Sequence, residues 1–404
     1  MEILYALGRK EVWTEFLEYK MSRGHLSKKD ETSLTALIAS QSYLPIAEQI
    51  CRGEGFAPPR KSVISKKSSG KKRIVYTYGE KENWVLKQLT WQLQRKYDRL
   101  FADNLYSFRP GKSARDAIRR LVSTPDLCKL WCYKVDISNY FNSIPVKRLI
   151  PMLQAVLEEE PEIFRFLESL LNSPLVNDHG VLTPEEKGIM AGTPISTFLA
   201  NLYLAHMDHD FAKRGILYAR YSDDIIVFAS NEAQREQYAR EILHFLAEAG
   251  LSVNPEKEAR TVPGEKWTFL GICYQGGTVD VAPASVEKLK DKMRRKTRAL
   301  ARWQVRKGAT GVQTAKAFVR VFNRKLFENT AANELTWVRW YFPLINTSES
   351  LKIIDQYSQS CIRYLATGTR TKAQYSFRYE QIKELGYISL VNRYYSQKDA
   401  TSAG

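Results

Sequence analysis

A mixed fold, α+β or α/β and not all-α, is predicted by three observations. Two β-prone apolar runs, Leu130 to Ile137 and Leu217 to Phe228, are separated by helical stretches around 146 to 171 and 195 to 213. Ahead of them, apolar residues recur at helical steps over the first 60 or so positions, and from Ser285 onward the pattern is wholly helical. A chain of 404 residues exceeds one average domain, so two or three lobes around a substantial core are expected.

The elements follow in order. Leu4, Leu7, Trp13, Phe16 and Leu17, then Leu34, Leu37, Ile38 and Leu44, predict helices that end at Pro58-Pro59. From Lys61 to Arg73 the run KSVISKKSSGKKR holds six Lys/Arg and no acid around a Ser-Ser-Gly turn. Val63-Ile64 and Ile74-Val75-Tyr76 flank that turn, which predicts a basic β-hairpin able to receive an anion. Val85, Leu89, Leu93, Tyr97 and Leu100 predict an amphipathic helix within 82 to 100. The strand runs come next, and a boundary is placed near 281. Residues 285 to 328 carry 14 Lys/Arg against 3 Asp/Glu, about two-thirds of the chain's excess positive charge.

Charge narrows the function. Lys and Arg number 61 against 44 Asp and Glu, for a net +17 and a pI near 9.5, which favours a polyanionic partner, nucleic acid first. No stretch approaches the roughly 18 apolar residues of a membrane span. The N-terminus, with early acids in its apolar pattern, is unlike a signal peptide. Five cysteines, with Cys128 and Cys132 the only close pair, form neither a disulfide framework nor a zinc knuckle, and a reducing cytoplasm is the expected location.

The acids inside the strand runs are the candidates for chemistry. Asp223 and Asp224 stand side by side in Tyr221-Ser222-Asp223-Asp224-Ile225-Ile226-Val227-Phe228, and Asp136 in Tyr133-Lys134-Val135-Asp136-Ile137. Carboxylates in apolar surroundings must share a proton or meet cations, and a hairpin turn presenting them to divalent metal meets the second requirement. If the two runs are neighbours, three carboxylates can hold two Mg²⁺ ions for nucleotidyl transfer.

These residues resemble the reverse transcriptase superfamily, whose central Tyr-x-Asp-Asp motif corresponds to Tyr221-Ser222-Asp223-Asp224. Lys134 to Phe141 is similar to its first palm motif, Ser107-Phe108-Arg109-Pro110-Gly111-Lys112-Ser113-Ala114 to the template-side motif of bacterial members, and Gly250 to Lys257 and Phe269-Leu270-Gly271 to the two motifs after the hairpin. The match spans about 61 to 280. It implies an α+β right-hand polymerase: a helical extension over 1–60, fingers and an antiparallel palm over 61–280, and an all-helical basic thumb over 281–404.

The resemblance also implies roles. Asp136, Ile137, Asp223 and Asp224 would hold two Mg²⁺, with Mn²⁺ as a substitute, and the three aspartates would be catalytic. Lys66 and Arg73 would grasp the triphosphate, Phe141 would exclude the ribose 2′-hydroxyl, and Ala191 and Gly192 would line the nucleotide site. Tyr221, Arg109, Lys257, Phe269, Leu270 and Gly271 would serve primer and template, with Lys257 near the leaving pyrophosphate. Lys288, Arg295, Arg302 and Arg306 would meet the nucleic-acid backbone from the thumb. The implied partners are an RNA template, dNTPs, and a DNA product or RNA–DNA hybrid.

One block departs from the family. Met190-Ala191-Gly192-Thr193-Pro194-Ile195-Ser196-Thr197 keeps Gly192 and Ser196 but has Ala191 where a glutamine usually contacts the incoming nucleotide. Alanine offers no hydrogen bond, which bears on nucleotide choice, fidelity and template range. The tail, from Ile362 to Gly368 with Tyr379-Glu380 and Leu385 to Val391, resembles the ends of bacterial defence-associated (unknown-group) reverse transcriptases. That resemblance implies an anti-phage role with a noncoding RNA. His206-Met207-Asp208-His209-Asp210 is read as helix-end polarity, because it lacks the i, i+4 His pair of zinc hydrolases on the helix. Cys128 and Cys132 are read as core packing. No nuclease pattern follows 281.

Overall fold

The computed structural model describes residues 2–22, 26–65, 72–328 and 336–402. It divides into two compact units, Met1–Pro263 and Gly264–Gly404.

The first unit begins with the expected helices, Glu2–Leu7, Lys10–Ser22, Lys28–Ala39 and Leu44–Cys51. They bury Leu7, Trp13, Phe16, Leu34 and Ile50 in one core with Trp84, Leu86, Leu89 and Leu93 of the helix Glu80–Lys96. The strands of this unit are β1 (Arg60–Ser65), β2 (Lys72–Thr77), β3 (Trp131–Asp136), β4 (Leu175–Asp178), β5 (Val181–Pro184), β6 (Tyr218–Tyr221), β7 (Asp224–Ala229) and β8 (Ala259–Thr261). One sheet runs β2-β1-β4-β5, with β1 and β2 forming the basic hairpin. The other runs β6-β7-β3-β8 and is antiparallel throughout, so the fold is α+β. The helix Glu232–Glu248 packs on β3 and β7.

The run Leu217 to Phe228 is two strands, not one. Left-handed backbone at Ser222 (φ 59°) folds β6 onto β7 and puts Asp223 in the turn. A single extended strand would have sent Asp223 and Asp224 to opposite faces. Cys132 is a buried free thiol whose pKa burial pushes up to about 12, in keeping with core packing.

The second unit holds β9 (Trp267–Phe269), β10 (Ile272–Gln275) and β11 (Thr278–Val281) in an antiparallel sheet beside the helices Pro283–Lys307, Gly311–Phe327, Glu349–Thr367 and Leu390–Ser402. The division thus falls ahead of this sheet, at Pro263, and every described element after Val281 is helical. The reason is local bonding. Val279 exchanges hydrogen bonds with Asn346 at 2.8 and 3.0 Å, and Asp280 accepts from Ser350 N and Oγ at 3.2 and 2.8 Å. The tail is anchored by buried Asp355, which accepts from Tyr387 Oη, Ser389 Oγ, Leu390 N and Val391 N at 2.7 to 3.1 Å. A carboxylate there caps the last helix and offsets its positive end. Among the described residues no helix is long and apolar enough to cross a membrane.

Candidate active site

β3 lies between β7 and β8 in the antiparallel sheet, and this order brings the acids together. Asp136, the last residue of β3, is the register partner of Asp224, the first of β7. Ile137 N donates to Asp223 O at 2.9 Å, and Asn254 N donates to Asp136 O at 2.8 Å. The three aspartates thus meet at one end of the sheet, although 87 positions separate Asp136 from Asp223.

Lysines balance their charge. Lys257 Nζ lies 2.6 Å from Asp136 Oδ2, and Lys134 Nζ lies 3.7 Å from Asp224 Oδ1. Burial, then repulsion by Asp136, raises the pKa of Asp223, with Lys257 and Arg73 opposing. Burial also raises Asp224; Lys134 opposes it, and Asp223 and Asp136 add to it. Carboxylates raised in this way attract a cation.

The donor chemistry suits a hard divalent ion, because every side-chain donor is an anionic oxygen. No group of three His, Cys, Asp or Glu side chains is gathered closely enough to hold an ion by itself among the described residues. The donors fit by type and location, and positive charge from Lys257 and Lys134 occupies their surroundings.

The turn is held from below. Ser222 N donates to Ser107 Oγ at 2.9 Å, Ser107 Oγ donates to Asn201 Oδ1 at 3.1 Å, and Asn201 Nδ2 returns to Ser107 O at 2.8 Å. Arg220 is fully buried and forks onto Asp208 from Nε (2.8 Å) and Nη2 (2.5 Å), while Nη1 reaches Ser222 O at 3.3 Å. Burial disfavours the Arg220 charge, and Asp208 more than restores it, so the guanidinium pKa is raised overall. Asp208 is therefore a core ion-pair partner and not helix-end polarity.

The aromatic residues form a row beside the turn. Phe108, held at φ 54°, stands 6.3 Å from Phe141 on one side and 6.3 Å from Tyr221 on the other, centroid to centroid. Sequence reasoning missed Phe108, Arg220 and Asp208. The left-handed backbone that places Phe108 has no signature in residue type, and a buried Arg–Asp pair 12 positions apart reads as ordinary surface charge.

The remaining predicted residues are placed as follows. Arg73 is exposed on β2, and its charge is felt at Asp223. Lys66 lies outside the described residues. Ala191 is tied by its backbone to Tyr76 and Asn142, and Gly192 is exposed with φ 102°. Arg109 is turned inward. Its guanidinium pairs with both Asp98 oxygens at 2.8 and 3.0 Å and donates to Ala102 O and Leu105 O, so no donor face is turned toward a phosphate.

Within the second unit, Phe269 is buried and packs its core, and Leu270 and Gly271 both stand at positive φ in the β9–β10 turn. Lys288, Arg295, Arg302 and Arg306 are exposed on one face of the helix Pro283–Lys307, opposite buried Leu289, Met293, Thr297 and Leu300. Their span is about 27 Å at 1.5 Å per residue. Val305 on the same helix is 87% exposed.

An α+β chain whose antiparallel sheet gathers three aspartates at a strand end and a tight hairpin is of the polymerase class in fold. The sequence model of the reverse transcriptase (RNA-dependent DNA polymerase) family matches residues 64–274, more than half of the chain, and the chain belongs to that family. It is similar to a 91 kDa protein in the cob intron of Schizosaccharomyces pombe, 31% identical over 159 residues, which are 38% of this chain and 18% of that protein. It is also similar to Protein YkfC of Escherichia coli, 20% identical over 283 residues, 60% of this chain and 73% of that one. The chain spans about a fifth of the intron protein's length. Among solved structures, apo telomerase from Candida tropicalis overlays with a TM-score of 0.48 at 14% identity, covering 82% of this chain and 59% of that one.

Proposed function

We propose that the protein is an RNA-directed DNA polymerase that copies an RNA template into DNA from dNTPs. The observation that carries this reading is the register pairing of Asp136 with Asp224 beside the Asp223 turn. Asp136, Asp223 and Asp224, with the Ile137 carbonyl, would hold divalent metal. Two Mg²⁺ ions bound there would activate the attacking 3′-oxygen and stabilise the leaving pyrophosphate.

The chain's own residues do the rest. Arg73, with Lys66, offers cations to the triphosphate. Lys257 stands at Asp136 and supplies positive charge where pyrophosphate departs. Tyr221, braced by Phe108, supports the turn and the primer end. Lys288, Arg295, Arg302 and Arg306 present a basic stripe to a nucleic-acid backbone. The anchored tail, with its resemblance to defence-associated relatives, supports a bacterial cytoplasmic role against phage, with a noncoding RNA as template.

Supplying the purified protein with a defined RNA template, primer, Mg²⁺ and either dNTPs or rNTPs tests the reading. DNA complementary to the template is expected. RNA product, or DNA unrelated to the template, would favour the alternative that the missing amide at Ala191 suggests, an RNA-synthesising or template-independent transferase. No product at all would leave an RNA-binding protein that kept the fold. Sequencing the RNA and DNA that copurify from native cells then identifies the template.

Phe141 carries a separate expectation. If its ring excludes the 2′-hydroxyl, Phe141→Ala should raise the rate of rNTP incorporation relative to dNTP by about a hundredfold, equivalent to roughly 2.7 kcal/mol of discrimination. Unchanged sugar selectivity in that variant would remove the gate from Phe141.

A further inference from the structure

Position 191 has no side-chain amide, and its backbone is held instead by the amide of another residue. Asn142 follows Phe141 and is half-buried. Its Oδ1 accepts from Ala191 N at 2.9 Å, and its Nδ2 donates to Ile74 O at 3.2 Å. Ile74 is the neighbour of Arg73 on β2. One amide therefore ties together the strand bearing the triphosphate cation, the Ala191 turn and the residue beside the sugar gate.

The surroundings make this junction tight. Ile189 N donates to Phe141 O at 2.9 Å, and Tyr76 N donates to Ala191 O at 2.8 Å. Gly188, at φ 51°, lies so close that a Cβ would come within 2.6 Å of Phe141 O and the Asn142 carbonyl carbon. At Gly192, φ 102°, a Cβ would stand 3.0 Å from Tyr76 O. Backbone of three segments meets closely at Gly188 and Gly192, and Asn142 supplies a side-chain link among them.

We propose that Asn142 is a positioning and specificity residue of the nucleotide pocket, setting the distance between β2 and the Phe141 gate in place of a side chain at position 191. This rests on the polymerase reading for its substrate, a deoxynucleoside triphosphate. Asn142 does not touch the nucleotide in this assignment. It acts through Arg73 and Phe141, so its removal loosens binding and sugar selection more than chemistry.

The test uses the full chain with Asn142→Leu, which keeps the size and loses both hydrogen bonds, and Asn142→Ser, whose hydroxyl can satisfy one of them. Losing both ties should weaken dNTP binding about tenfold. KM for dNTP should rise by about that factor in Asn142→Leu and less in Asn142→Ser, with kcat within about threefold and rNTP rejection relaxed. Equilibrium dialysis of dATP against the protein reads the same pocket without synthesis. If Asn142→Leu does not fold, as thermal unfolding would show, Asn142→Ser carries the comparison.

An unchanged KM and dATP affinity in a folded variant overturns the inference, as does a fall in kcat with KM unmoved. A wild-type protein that binds dATP but copies no RNA overturns the polymerase reading alone, and the ratio of dATP affinities then decides for or against Asn142. A wild-type protein that binds no dNTP overturns both.

Discussion

Replacing Asp223 and Asp224 together by alanine should abolish DNA synthesis, with a loss of at least about a thousandfold, while the protein stays folded. The size follows from the several kcal/mol of transition-state stabilisation that a bound metal supplies, at a factor of ten per 1.4 kcal/mol. The folding expectation has a separate origin. Burial, with repulsion by Asp136 on both and by Asp223 on Asp224, raises the pKa of both carboxyls above their ordinary values. A carboxyl raised in the folded state binds its proton more readily there than in the unfolded chain, so around neutral pH its ionised form works against the fold. Removing the pair relieves that repulsion, although Lys134 loses its partner at Asp224. Primer extension and thermal unfolding on the same preparation make the check. Undiminished extension removes the metal assignment, and a collapsed midpoint shows the acids to be structural.

The second large effect belongs to the ion pair under the turn. Asp208→Ala strands the Arg220 guanidinium in a fully buried site, and breaking such a pair costs about 3–5 kcal/mol. At roughly 2–4 °C per kcal/mol for a domain of this size, the unfolding midpoint should drop by around 10 °C. Replacing both partners by apolar residues of similar volume, Asp208→Leu with Arg220→Met, should recover most of the stability, because no charge is then left unpaired. Synthesis should not recover, since Ser222 O and Asn201 O lose the donor that steadies the catalytic turn. Denaturant midpoints beside primer extension separate the two effects. A single variant within 1 kcal/mol of wild type, on the order of experimental scatter, would show the pair to be dispensable.

Much of the site was legible because its residues are out of place in their local pattern. Acids in β-prone apolar runs have a cost that only function or pairing offsets, which made Asp136, Asp223 and Asp224 visible. The basic hairpin and the stripe on the helix Pro283–Lys307 were visible for a similar reason, since like charge at helical or turn spacing gains nothing from folding. Arg109, which the resemblance places with primer and template, was not legible in this way. Its motif marks a cation, and only the positions of Asp98, Ala102 and Leu105 show that the cation is spent inside the protein. Phe108 and Asn142 carried no signal, since an aromatic and a small polar residue are ordinary anywhere. Their importance lies in a left-handed backbone at one and two long-range hydrogen bonds at the other.

By itself, the amino-acid sequence determined the class of fold, the run of helices at each end, the hairpin positions and the chemical character of the candidate groups. These depend on neighbours within a few residues, through periodicity, turn chemistry and charge. The tertiary structure alone decided that β3 lies against β7, that Asp136 faces Asp224, that Arg220 is neutralised by Asp208, and that the sheet of β9 to β11 groups with the helices that follow it. Strand order and register are set by contacts between segments about a hundred positions apart, such as Ser107 with Asn201. Each such contact is chosen by the packing of the whole core, and no local window of residues contains that information.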